Sequence, residues 1–237
     1  VLGVERVGAD DSFFALGGDS IVSIQLVARA KSRGVFFTPR DVFEKKTVAG
    51  IAEVARHEID TDAVVLEELS GGGVGWAPLL PIARRMVDEG GYRRNSQTMM
   101  LLLPAGIERS TIVATITAVV DRHDALRSRL VHDEQRGWGL EFTAPGSIDV
   151  DTLLHHVPVG AEWDEDRINE IATAELDSAM GRLDPEAGRM LQFVWFDGDI
   201  GETGGGRLLI VAHHLTVDGV SWRVLVPDFV SAGLQFA

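Results

Sequence analysis

The chain has 237 residues, of which 45% are hydrophobic and 24% charged, the balance of a soluble globular protein able to bury a core. It contains no cysteine, which excludes disulfides, thiolate metal sites and thiol nucleophiles, and its net charge of −14 argues against nucleic acid, whose phosphates require Lys and Arg. The longest apolar runs, such as MMLLLPA from Met99, fall far short of the ~20 residues of a membrane span, and the first residues lack the basic start and apolar stretch of a signal peptide. No membrane association and a cytoplasmic location are therefore expected.

In chain order, Ser20 opens SIVSIQLVARAKSR, whose apolar residues at 21, 24, 27 and 28 share one helical face, with Lys31 and Arg33 at the favourable C-terminal end. Pro39 can start a helical turn at RDVF. Thr47 begins another helix, TVAGIAEVARH, with Val48, Ile51, Ala52 and Val54 as its apolar set. An acidic and then glycine-rich stretch follows, through Gly71, Gly72, Gly73 and Gly75; so many glycines lose too much backbone entropy for an element interior and mark a connector. The predicted organisation is a helical domain at 1–57, a linker at 58–75 and a second domain at 76–237.

The second domain alternates strand-like and helix-like segments, an α/β layer structure. TMMLLLPA reads as a buried strand. STIVATITAVVDRHDALRSRL reads as a helix packed on a sheet, from its apolar residues at 112, 113, 116, 119 and 120. GLEFTA is a short strand, and DRINEIATAELDSAM is an amphipathic helix with Ile168, Ile171, Ala172, Leu176 and Met180 inward. MLQFVWF and RLLIVAHH are two strands joined by a glycine-rich turn, a predicted hairpin, and VSWRVLVPDF is a final helix.

Two short motifs carry the candidate chemistry. In GGDSI, Gly17 and Gly18 precede Asp19 and Ser20 at a helix start. Their missing Cβ atoms open the approach to Ser20, and a phosphate ester there would sit at the positive end of the helix dipole. The plainer reading is that Asp19 or Ser20 caps the helix. The wider stretch, VGADDSFFALGGDSIVSIQLVARAKSRGVFFTPRDVFEKKTVAGIAEV, resembles the peptidyl carrier domains of nonribosomal peptide synthetases over nearly its whole length. That resemblance implies that Ser20 carries a 4′-phosphopantetheine arm installed by a phosphopantetheinyl transferase, and that an upstream adenylation domain loads it. It also implies a small all-α bundle whose long first helix is truncated here.

The second motif is HHLTVDG, from His213 to Gly219. On a strand, His213 and His214 point to opposite faces, so they neither share one catalytic site nor chelate one metal. Asp218 either caps the helix that follows or pairs with an arginine from elsewhere. HHLTVDGVSWRVL resembles the HHxxxDG motif of the condensation-domain superfamily, relatives of chloramphenicol acetyltransferase. RHDALR, from Arg122 to Arg127, resembles its arginine-containing segment. The resemblance implies that His214 faces the tunnel where the thioester arrives and that His213 is structural. It pairs Asp218 with Arg127 and has Gly219 leave room for the pantetheine arm. The family's opening motif, close to PIQxWF, reads PIARRM here, with Ala83 and Arg85 in place of Gln and Trp. The His155–His156 pair has no such context and is expected on the surface or in a loop.

Within the superfamily, DGVSW and the GGDSI carrier both resemble the epimerization variety rather than the peptide-bond-forming condensation variety. The expected reaction is then inversion of an aminoacyl or peptidyl Cα by removal and return of its proton, work suited to a histidine with a pKa near 6.5. The resemblance places the second acid–base group in a C-terminal lobe beyond residue 237, with a condensation domain further downstream as partner. The alternatives are a condensation domain and a carrier or interaction fragment without chemistry of its own.

Overall fold

Apart from residues 1, 5, 32, 58–72, 161, 162, 164, 201–204 and 237, the chain is described by a computed structural model. It divides into two compact units, Val1–Glu67 and Glu68–Ala237. Most of the expected linker lies outside the described residues. At its end the Gly73 N–H donates to Asp124 Oδ2 at 2.8 Å, and Gly75 opens the first strand of the second unit.

Among its described residues the first unit holds three helices, α1 (Ser20–Lys31), α2 (Pro39–Lys45) and α3 (Val48–Val54), and an isolated bridge between Phe36 and Arg56. Thr38 and Asp41 form a reciprocal capping box on α2, and the Thr47 hydroxyl accepts from Gly50 N on α3, so both short helices have satisfied N-termini. Their core is small: Phe13, Val42 and Ile51 are buried, with Val22, Leu26, Val27 and Phe37 packed against them. The predicted inward face of α1 is corrected. Ser23 is buried, with Val22, Leu26 and Val27 beside it, while Ile24 is 44% exposed. Apolar residues lie all round this helix, so spacing alone admits two faces. The Ser23 hydroxyl, donating to the Ser20 carbonyl at 2.6 Å, makes burial of a polar residue tolerable.

The second unit contains β1 (Gly75–Pro78), α4 (Pro81–Asp88), β2 (Ser96–Leu102), α5 (Arg109–Arg122), β3 (Ser128–Asp133), β4 (Gly137–Phe142), β5 (Leu154–Pro158), α6 (Glu165–Arg182), β6 (Leu191–Ile200), β7 (Gly205–His213) and α7 (Trp222–Phe236). A four-stranded sheet runs in the order β2-β7-β6-β5, antiparallel except for β5 beside β6, and a three-stranded antiparallel sheet runs β1-β4-β3. The large sheet is covered on both faces. Phe193, Trp195, Leu208 and Ile210 join one core with Ile112, Ile116 and Val119 of α5 and Leu225 and Phe229 of α7. Val194, Phe196, Leu209 and Val211 join the other with Ile168, Ala179 and nearby Leu183. Double coverage explains why β6 and β7 read as continuous apolar runs.

Two further expectations are corrected. The strand at β2 is not buried but is an edge that, among the described residues, pairs only with β7, with Met100 39% and Leu102 67% exposed. The helix predicted to run to Leu130 stops at Arg122. The chain turns at Asp124–Arg127 and continues as β3, because the Arg127 side chain caps the carbonyls of Val120 and Asp121. His155 and His156 are exposed, as expected of surface residues, and lie on β5, where His156 pairs with Asp197 at 2.9 Å.

Candidate functional site

Ser20 is the first residue of α1 and is exposed. Capping falls to its neighbour: Asp19 Oδ1 accepts from the N–H groups of Ile21 and Val22 at 2.8 and 2.7 Å. The exposed Ser20 hydroxyl has no hydrogen-bond partner among the described residues. The two preceding glycines also have a backbone role. Gly17 adopts φ +90°, which disfavours any residue with a Cβ, and a Cβ on Gly18 would lie 2.4 Å from the Phe13 ring. Together they let the chain turn tightly over Phe13 and present Asp19 and Ser20. An exposed, unbonded hydroxyl at a helix N-terminus fits esterification by the phosphate of a phosphopantetheine arm.

The paired histidines lie where β7 ends. His213 is its last residue, fully buried. Its Nε2–H donates to the Tyr92 carbonyl at 2.8 Å, and its Nδ1 accepts from Leu215 N at 3.1 Å. Both ring nitrogens are thus committed to neutral imidazole. Burial pushes its pKa below the ordinary 6.5. His214 leaves the strand; its backbone N–H donates to the Asn95 carbonyl at 2.9 Å, and its Nδ1–H donates to the Val217 carbonyl at 2.9 Å. That second bond selects the tautomer in which Nε2 of the half-buried ring carries the lone pair. His214 lines a cleft of about 450 Å³ with Asn95 and with Ala83, Arg85 and Glu89 of α4 and its end. The residues that depart from the family's opening motif therefore border the histidine. Ala83 is buried, while Arg85 is exposed and bonded to Glu89 at 2.7 Å.

Asp218 and Arg127 are not partners in this structure. Asp218 Oδ1 accepts from Val220 N, Ser221 N and Ser221 Oγ at 3.0, 2.8 and 2.7 Å, while its own N–H donates to Ser221 Oγ at 3.1 Å. Asp218 therefore fastens the turn that leads into α7. The Ser221 hydroxyl, followed by the local N–H groups, holds its carboxyl below the ordinary 3.8. Arg127, 1% exposed, donates to Asp124 Oδ1 at 2.5 Å and to the carbonyls of Val120, Asp121 and Thr143. A carboxylate three residues away and a helix C-terminus satisfy the guanidinium locally, and a distant carboxylate is not required. Gly219 is exposed, with nothing within 4 Å of an added Cβ.

Sequence reasoning missed the carbonyls of Tyr92, Asn95 and Val217, which orient the two histidines. Backbone groups leave no side-chain signature, and only folding brings residues 92 and 95 beside residues 213 and 214.

Residues 1–55 match the family described as a phosphopantetheine attachment site, and residues 88–235 match the condensation domain. Over its whole length the chain is 38% identical to a linear gramicidin synthase of Brevibacillus parabrevis, spanning 3% of that protein. Over 98% of its length it is 34% identical to chondramide synthase cmdD of Chondromyces crocatus, spanning 6%. Among solved structures, 68% of the chain aligns with 35% of the epimerization domain from the third module of tyrocidine synthetase B, with a TM-score of 0.55 and 25% identity. The same share aligns with 38% of tallysomycin biosynthesis protein TlmII, with a TM-score of 0.53 and 16% identity, a likeness of fold.

Proposed function

The chain belongs to the condensation-domain family and carries a 4′-phosphopantetheine attachment site ahead of that domain, and from this we propose that it serves nonribosomal peptide synthesis as a carrier joined to an epimerization domain. Ser20 is the attachment residue; when attached, the arm supplies the thiol that holds an aminoacyl or peptidyl group as a thioester. The adjoining domain inverts the Cα of that group. The observation that carries this reading is the His214 tautomer: Nδ1–H is committed to the Val217 carbonyl, which leaves Nε2 as the proton acceptor of a ring lining a cleft. His214 takes the α-proton, and a second acid–base group, which the family resemblance assigns to a C-terminal lobe, returns it on the opposite face. The DGVSW and GGDSI motifs support epimerization over condensation.

The test uses a polypeptide extended through the C-terminal lobe. Intact mass rises by one arm after treatment with coenzyme A and a phosphopantetheinyl transferase, and Ser20→Ala abolishes the rise. The loaded protein exchanges the α-hydrogen with deuterated water and yields a mixture of L and D residues on chiral chromatography. His214→Ala slows that exchange by about 10²–10⁴-fold, the usual contribution of a positioned acid or base. Peptide-bond formation with an acceptor carrier and no exchange would replace this reading with condensation.

A further inference from the structure

The turn at residues 90–95 touches both histidines. The Tyr92 carbonyl accepts from His213 Nε2, and three residues on, the Asn95 carbonyl accepts from the His214 backbone N–H. The turn is itself held from α6 and from the segment that follows it. Glu186 Oε1 accepts from the Tyr92 hydroxyl at 2.7 Å and from the Arg93 guanidinium at 2.8 Å, and Arg94 is bonded to Asp177. The Tyr92 ring packs against the main core, so its hydroxyl and carbonyl belong to one braced residue. Gly90 and Gly91, both with φ near +75°, give the backbone on the N-terminal side little stiffness of its own.

We propose that Glu186 is a positioning residue for the histidine pair: it holds Tyr92, Tyr92 holds His213, and the same turn carries Asn95 to His214. Neither Glu186 nor Tyr92 touches the cleft bordered by His214. Their role is to keep the turn seated against the end of β7. Burial that keeps His213 neutral suits this arrangement, because the Nε2–H and Nδ1 lone pair must both persist for the two bonds it makes. The part of this inference that concerns catalysis rests on the proposed function; the part that concerns the histidines does not.

Nitrogen-15 imidazole spectra of the full chain test it without any assay. In the wild type, His213 shows the Nε2–H tautomer and His214 the Nδ1–H tautomer. Glu186→Ala is expected to mix the His213 tautomers and raise its midpoint toward the ordinary value, with Tyr92→Phe reproducing the change. Glu186→Gln retains an acceptor for the phenol and stays closer to wild type. Glu141→Ala, which removes a comparable exposed partner from Arg129, leaves both histidines unchanged. Unaltered histidine spectra in Glu186→Ala, or a change that Tyr92→Phe does not reproduce, would overturn the proposal. In the extended polypeptide, Glu186→Ala should slow α-hydrogen exchange about threefold to tenfold with little change in KM, the pattern of a lost transition-state contribution. If exchange is absent even in the wild type while the spectra change as expected, the positioning role stands and the epimerization reading fails.

Discussion

Ser20 and His214 stand on scaffolds of very different weight. Ser20 begins a helix that packs over three buried apolar side chains, Phe13, Val42 and Ile51. His214 follows a strand buried between two clusters, one spread over α5 and α7 and the other under α6. Burying a large apolar side chain contributes about 1.5–3 kcal/mol, and ordering each residue costs about 1–2 kcal/mol, so the first unit has little margin and the second a good deal. The difference suits the proposed tasks. A hydroxyl that receives a long arm needs only exposure and a firm helix start, because the arm does the travelling. A base must keep its ring and its tautomer fixed while a proton moves, which takes a backbone anchored on several sides.

The comparison can be broken most forcibly through glycine. Gly18→Ala places a Cβ 2.4 Å from the Phe13 ring and 2.6 Å from its carbonyl oxygen; Gly139→Ala places one 2.3 Å from the Trp76 indole nitrogen. Overpacking of this kind destabilises by about 1–3 kcal/mol. In the first unit that should remove most of the margin, seen as lost amide-exchange protection throughout residues 6–57. In the second the same insult should leave the β6 and β7 amides protected. Equal loss in both units would show that core size does not set their margins.

Charge removal sharpens the contrast inside the second unit. Arg127→Ala abandons Asp124 and three carbonyls and should destabilise by about 2–4 kcal/mol, discounted because Asp124 is partly exposed. Asp218→Ala removes the acceptor that holds the turn into α7 and should cost about 1 kcal/mol. With no shared contact, the double variant should be additive to within about 0.5 kcal/mol in denaturant melts. Measured coupling well beyond that would restore the pairing of Asp218 with Arg127.

The smallest effect is a pH dependence. The folded pKa of His213 lies below 6.5, chiefly through burial, so the unfolded chain binds the proton first as pH falls. Stability of the second unit is therefore complete above about pH 6.5 and declines as pH drops through that value toward the folded pKa. Urea midpoints for the wild type should fall between pH values of about 7.5 and 5.5, and His213→Asn should flatten that part of the difference. A slope unchanged by the substitution would assign it to other groups.

Local chemistry was enough to read much of this protein from residue order. The spacing of Ile112, Ile116, Val119 and Val120 named the buried face of α5 because one helix face meets one sheet. Ile168, Ile171, Ala172, Leu176 and Met180 did the same for α6, and the runs on either side of the glycine-rich turn paired antiparallel, as β6 and β7 do. The motifs around Ser20 and His214 were equally legible, since their chemistry lies in the side chains themselves. Tertiary structure decided the rest. It chose which face of α1 turned inward, where two faces were equally apolar. It made β2 an edge, a matter of which strands lie beside it. It ended α5 at Arg122, because Arg127 folds back on carbonyls that propensity does not register. It gave Asp218 to Ser221 and Arg127 to Asp124, since each charge was satisfied by its nearest groups. And it set the tautomers of both histidines through carbonyls on Tyr92 and Val217, groups that every residue possesses and that only the folded chain can aim.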